Sequence, residues 1–290
     1  MKRIYLIMIF GSIMLAQALA QTKSETITKS IEVKNRDTSF WFCVCNINGS
    51  VDVEAYEGNS IEVTIEKKVS ARSQADVDLG MEELQLDIAE SREFLRFSMI
   101  SPNQQMIEKD DPLECGWNWN RDEQRRNYWY TIDYKVKVPK GISVKLSTVN
   151  KGDVFAKGVS GNIYAANVNG NVTLSEIDGD TKATTVNGKL EVSYVRMPVE
   201  FGTFNTVNGD IEVYVPTNGN GVFNFNTQWG KIYSDLDFSS KLVPQVKKTA
   251  AGEETKYKVS NSNSYHFGKS GGPSFEFETL NGNVYLRKQK

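Results

Sequence analysis

Between Thr148 and Leu190 a glycine recurs every nine residues, at Gly152, Gly161, Gly170, Gly179 and Gly188. The same phrase surrounds each: VNKGDVFA, GVSGNIYA, NVNGNVTL, EIDGDTKA, TVNGKLEV. Further copies enclose Gly49, Gly209, Gly230 and Gly282 at wider spacing. A short repeat of fixed period confines a chain to architectures in which each copy buries its apolar face against its neighbours. With Gly as position zero, positions −2, +2 and +4 are mostly aliphatic: Val168, Val172 and Leu174, or Val207, Ile211 and Val213. Alternation of this kind marks strands with one buried face. Position −1 is commonly Asn or Asp, and Asn-Gly suits a corner that needs positive φ.

Asn-Gly also closes two-residue hairpins, so an antiparallel meander is the rival arrangement. In such a hairpin −2 and +1 share a face, yet +1 is polar here (Asp153, Asn171, Asp180, Asp210). The expectation is therefore an all-β chain: a β-helix-like solenoid of short VNG-type strand repeats, with an irregular β cap at its N-terminal side. The spacings of 21 from Gly188 to Gly209 and from Gly209 to Gly230 predict coils of 18–21 residues, each holding two repeat units. Calcium-binding nonapeptide rolls need GGxGxD, which these units lack, so no metal or other cofactor is expected and the corner Asn and Asp residues are turn formers.

Residues 1–20 have the form of a secretory signal peptide: Lys2 and Arg3, an apolar run, then Ala18-Leu19-Ala20. No second apolar segment is long enough for a span. The expected location is periplasmic, cell-surface or secreted, with no membrane span after cleavage. Residues 21–141 form the expected capping region, with a strand at Met81–Ala89. Residues 142–290 form the solenoid, interrupted by a polar excursion at 239–264. A net charge of −2 offers no field for nucleic acid. Cys43 and Cys45 lie two apart on one strand, a poor geometry for a mutual bond. Export permits either to pair with Cys115, and buried thiols are the alternative.

An exported start, NINGSVDVEAYEGNSIEV, YKVKVPKGISVKLSTVNKGDV, repeated VNG units and a terminal FETLNGNVYLRK occur in that order. Together they resemble the bacterial putative-adhesin family of β-strand-repeat proteins, over about Ile31 to Lys290. The resemblance implies a β-solenoid body and an envelope or secreted location, and it supplies no catalytic residues.

The lone His266 has no nucleophile motif beside it, and phosphate-binding loops are absent. A carbohydrate-active β-helix enzyme would need paired carboxylates, for which Asp153, Asp180 and Asp210 are the candidates. The reading favoured is a non-enzymatic scaffold that contacts an envelope or extracellular protein or glycan. Its candidate ligand-binding residues are Trp117, Trp119, Arg121, Tyr128 and Tyr130, aromatic and cationic groups suited to stacking and hydrogen bonding. A second aromatic row stands at repeat position +3: Phe155, Tyr164, Tyr233 and Tyr285.

Overall fold

The computed structural model describes residues 20–107, 109, 111, 113–119, 126–241, 246–251, 254–259, 263–269 and 271–289. The leader through residue 19 and Arg121 lie outside them. The N-terminal elements are β1 (Gln21–Glu32), β2 (Trp41–Cys45), β3 (Val51–Tyr56), β4 (Ser60–Ala71), α1 (Gln74–Glu83), β5 (Gln85–Glu90), β6 (Phe94–Ile100), β7 (Gln104–Met106), β8 (Trp117–Trp119) and β9 (Tyr128–Pro139). The repeats supply β10 (Ser143–Ser147), β11 (Val154–Lys157), β12 (Ile163–Ala166), β13 (Val172–Ile177), β14 (Thr181–Thr184), β15 (Leu190–Tyr194), β16 (Phe201–Asn208), β17 (Ile211–Val215), β18 (Gly221–Thr227) and β19 (Ile232–Ser234). The chain ends with β20 (Phe238–Lys241), β21 (Val246–Ala251), β22 (Glu254–Val259), β23 (Asn263–Phe267), β24 (Ser274–Asn281) and β25 (Val284–Lys288).

Two large sheets face one another. The first runs β1-β4-β9-β3-β11-β13-β15-β17-β25-β19 and the second β20-β23-β18-β24-β16-β14-β12-β10-β2-β6-β5. The chain passes alternately between them. β10 leads to β11, β12 to β13, β14 to β15 and β16 to β17, and each pass stacks in parallel on the one before. Val154 pairs with Val172 and Val172 with Leu190, 18 residues on each time, and Leu190 pairs with Ile211, 21 residues on. Parallel register at that separation excludes the antiparallel meander for this stretch. Each pass, or rung, turns inward the aliphatic +2 and +4 residues: Val172 and Leu174, Leu190 and Val192, Ile211 and Val213 are fully buried.

The nine-residue spacing marks two different corners. Gly152, Gly170, Gly188, Gly209, Gly282 and Gly230 belong to one, which leads from the second sheet into the first; Gly161 and Gly179 belong to the other. Most are required by contact and not by the positive φ expected from Asn-Gly. Gly152, Gly161, Gly170, Gly179 and Gly188 lack positive φ. A Cβ on Gly188 would lie 2.1 Å from the Gly170 carbonyl oxygen, and one on Gly170 would lie 2.4 Å from that of Gly152. A threonine three residues before the glycine, or four in the case of Thr148, completes the first corner. Thr148, Thr185, Thr206 and Thr279 donate their hydroxyls to the carbonyls of Gly49, Gly170, Gly188 and Gly209, one rung away. Outside them runs a row of amides. Asn169 donates to Asn150, Asn187 to Asn169, Asn208 to Asn187 and Asn281 to Asn208, at 2.7–2.9 Å.

Several expectations need correction. Position −2 is buried at the second corner (Val159, Ile177) and at Ile47 before Gly49; elsewhere at the first corner Val186, Val207 and Leu280 are exposed. Residue 141 marks no break in the sheets, because β9 pairs with β3 and β3 with β11. Residues 81–83 end helix α1, N-capped by Ser73, and only 85–90 form a strand. The second spacing of 21 is not a rung step: β25 lies between β17 and β19, and β24 between β16 and β18. The 239–264 excursion contains the antiparallel hairpin β21–β22, but β20 and β23 extend the second sheet.

Gly188→Ala forces a methyl into the Gly170 carbonyl and is expected to cost about 1–3 kcal/mol. Asn187→Ala, which removes exposed hydrogen bonds only, is expected to cost about 0.5–1.5 kcal/mol. Urea unfolding of the two variants checks the order.

Candidate functional site

The Trp-rich segment is built around a crosslink. Cys45 and Cys115 form a disulfide, Cα to Cα 5.5 Å, which ties the loop before β8 to the outer side of β2. Cys43 and Cys45 are buried although they face away from Phe42 and Val44, so β2 is covered on both faces. Cys43 stays a free thiol. Burial pushes its pKa up to about 12, against the pull of Lys145 and Arg96. It is therefore inert at neutral pH.

Two of the five expected ligand-binding residues turn inward. Tyr128 and Tyr130 point into the interior on alternate positions of β9, with Trp129 outside between them. Tyr128 donates to Glu83 Oε2 at 2.7 Å, and Tyr130 donates to Gln104 Oε1 at 2.7 Å. These are satisfied core tyrosines that lack an open ring face. Trp117 is half-buried on β8, opposite Met106 of β7, and Trp119 lies opposite Gln104. The period-two alternation of β9, applied to YWY, would have separated Trp129 from its neighbours.

The candidate carboxylates are also occupied. Asp153 accepts from the Asn171 backbone N–H at 2.7 Å and Asp210 from that of Asn283 at 2.7 Å, both at the first corner. Asp180 stands at the second corner and accepts from Glu200 N–H at 2.9 Å. Each pins one rung to the next, so they are not a facing pair. Among the described residues no group of three or more His, Cys, Asp or Glu side chains is placed to hold a metal ion.

Aromatic and charged groups gather instead on the outward face of the first sheet, at β15, β17, β25 and β19. Alternation sends Glu191, Glu212, Tyr285 and Tyr233 outward in consecutive rungs, with Tyr214 and Arg287 in the adjacent row. Tyr233 and Tyr285 stack at 5.1 Å with planes 9° apart. The Arg287 guanidinium lies 5.2 Å from the Tyr285 ring centre. Trp229 stands at the corner leading into β19, 75% exposed. It stands four positions before Tyr233, at most about 14 Å along the chain. Phe155 shares this face four rungs from Tyr285, whereas Tyr164 is on the other sheet beside Trp41 at 4.8 Å. The +3 aromatics thus form one stacked pair and two separate rings.

A charge network holds this face. Lys189 Nζ donates to Glu191 at 2.8 Å and to Glu212 at 2.7 Å; Tyr214 donates to Glu212 at 2.9 Å. Arg287 reaches Glu212 at 3.5 Å and Asp235 at 3.3 Å. Burial alone would raise the Glu212 carboxyl, but the hydrogen bonds from Lys189 and Tyr214 outweigh it and hold the group below its ordinary value. Burial opposes the Lys189 charge, and its two carboxylate partners more than restore it. Burial and the hydrogen bond to Glu212 raise the Tyr214 phenol. The face therefore presents ring surfaces and, beside them, fixed donors and acceptors, a combination that suits a saccharide ring or a polar protein surface.

No protein-family model matches the sequence, and no curated protein matches it. Solved structures similar to the chain include a putative cell adhesion protein from Clostridium sporogenes, 12% identical, TM-score 0.45, covering 92% of this chain and 100% of that one. A putative adhesin from Bacteroides fragilis is 10% identical, with TM-score 0.24 and coverage of 91% and 97%. A putative lipid binding protein from Parabacteroides distasonis is 9% identical, with TM-score 0.22 and coverage of 91% and 97%. TM-scores below 0.5 carry no functional inference.

Two outcomes follow. The depressed Glu212 pKa contributes stability above the carboxyl's ordinary value of 4.5, and that contribution is lost as pH falls through the folded value. The melting temperature of Glu212→Gln is therefore expected to fall less than that of the wild type between about pH 5 and 3. The crosslink spans 70 residues, so Cys115→Ser is expected to lose about 2–5 kcal/mol in urea.

Proposed function

We propose that this protein is an exported, non-enzymatic β-solenoid of the cell envelope, an adhesin-type scaffold that binds a glycan on the outward face of its first sheet. Successive parallel rungs 18 and 21 residues apart support the solenoid reading. The leader sequence and the Cys45–Cys115 disulfide support export into an oxidising compartment. The observation that carries the binding reading is the stacked Tyr233–Tyr285 pair beside Arg287 and the exposed Trp229. Aromatic rings held flat on a rigid sheet lose little entropy on binding. The network around Glu212 supplies hydrogen-bond groups whose positions are already fixed. The engagement of Asp153, Asp180 and Asp210 by backbone amides weighs against the alternative, a carbohydrate-active enzyme.

Glycan-array binding of Trp229→Ala and Tyr233→Ala tests this reading. Each is expected to weaken binding about tenfold, the equivalent of ~1.4 kcal/mol, with an unchanged circular-dichroism spectrum. Trp117→Ala is the comparison. A loss confined to that variant would move the contact surface to the Trp-rich loop, and binding untouched in all three would remove both surfaces.

A further inference from the structure

The two sheets have four free edges among the described residues, and three are short: β19 has three residues, β20 four and β5 six. Short edges offer little ladder to a foreign strand. The fourth edge is β1, twelve residues long, paired only with β4 along its whole length. Its other side is an unused row of backbone donors and acceptors. Nearly all of β1 is exposed, and only Ile27 and Ile31 are half-buried against the core.

The odd-numbered residues of β1 share the core side of the sheet, because they lie opposite the buried Val69, Lys67, Ile65, Val63 and Ile61. In order they are Lys23, Glu25, Ile27, Lys29 and Ile31. Charges on the core side of an edge strand repel an arbitrary partner strand. Glu25 and Lys29 also lie equally far from Ile27 and carry opposite charge. If a second β1 is laid antiparallel with Ile27 opposite Ile27, each Glu25 falls opposite a Lys29. Ser24 then meets Ser30, Thr26 meets Thr28, and each Ile31 meets the aliphatic stem of a Lys23. Sliding the pair by one residue on each strand loses the match. In one direction Lys23 meets Lys29; in the other Glu25 meets Ile31 and Lys29 meets Ile27. A parallel in-register pair would set every charge against its own kind.

We propose that β1 is a self-recognition edge: two copies of this chain join through antiparallel β1 strands centred on Ile27, which makes the first sheet continuous across a twofold axis. Glu25 binds Lys67 of β4 at 2.7 Å, on the side away from the open edge, so the partner's Lys29 would share a carboxylate that one lysine already holds. The pairing covers the half-exposed isoleucines and satisfies the longest open ladder of the fold. It is a closed, isologous contact, so it ends at the dimer and does not propagate.

Sedimentation equilibrium of the purified exported chain over a wide concentration range is the test. A monomer–dimer equilibrium is expected. Lys29→Glu places two carboxylates face to face and is expected to weaken it at least about tenfold, with no change in melting temperature of the monomer. Ile27→Cys reports the register: opposed Cα atoms about 4.5–5.5 Å apart are within disulfide reach, so mild oxidation is expected to yield a covalent dimer on a non-reducing gel. A chain that stays monomeric at millimolar concentration overturns the proposal. So does a dimer that is indifferent to Lys29→Glu and gives no link with Ile27→Cys, since a different surface would then hold it. Assemblies larger than two would likewise contradict closure at this edge.

Discussion

Everything in this fold depends on how closely one rung approaches the next at the glycine corner. Parallel strands sit about 4.8 Å apart. At that separation the carbonyl of one corner glycine occupies the place where the next glycine's Cβ would be. The same oxygen accepts the hydroxyl of the threonine three residues before the next glycine, as Thr185 shows on Gly170. A buried carbonyl at a turn is thus satisfied by the rung that stacks on it and by no group of its own rung. The asparagine row adds a second set of bonds outside the first. Register is fixed at this corner, and the faces of both sheets follow, because a slip of one residue would turn Val192 and Leu190 to solvent.

That constraint explains what the sequence made legible. The nine-residue period, the aliphatic +2 and +4 positions and the small corner residue all follow from stacking, and they led directly to parallel rungs of 18 and 21 residues. The reason for glycine is not legible in the sequence, since Asn-Gly is a familiar positive-φ signal and a clash between rungs leaves no separate mark there. Position −2 was misread because the two corners were treated as one: Ile177 turns inward at one, while Val186 turns outward at the other. Aromatic density near Trp117 drew attention to tyrosines whose alternation along β9 buries them. Trp229 passed unnoticed because it occupies the asparagine position of an otherwise ordinary repeat copy.

The two sheets expose different chemistry. On the second sheet, the disulfide-bound loop covers part of the outer face around Cys43 and Cys45, and that region behaves as interior. On the first sheet no described residue forms a layer over the outer face, and its side chains come one per rung at a spacing set by the backbone. A stacked pair such as Tyr233 and Tyr285 requires no special loop there; adjacent parallel strands bring equivalent positions to ring-stacking distance. The Glu212 network arises the same way, from Glu191 on β15, Glu212 and Tyr214 on β17 and Arg287 on β25, with Lys189 at the entry to β15. Surface chemistry on such a scaffold is written as a column of side chains at one repeat position.

The far end of the stack breaks the order in which the chain is made. β24 and β25, last in sequence, enter between β16 and β17 on one side and β18 and β19 on the other. The interior shows what holds them there. Phe277 of β24 packs tilted against Phe204 of β16 at 5.1 Å and stacks on Phe225 of β18 at 4.9 Å, while Phe275 stacks on Phe223 at 4.5 Å. Gly202 leaves the room that Phe275 fills, since a Cβ on Gly202 would lie 2.8 Å from that ring. β18 has no partner on its β16 side until the C-terminal segment arrives. Ile211 then pairs with Val284, 73 residues away, where the rungs from β11 to β17 close over 18 or 21. The entropy of closing a longer loop rises only slowly with its length, so the native stack tolerates this order. Folding speed depends on sequence separation more strongly, and the aromatic end of the stack is therefore the part whose assembly must wait for the whole chain.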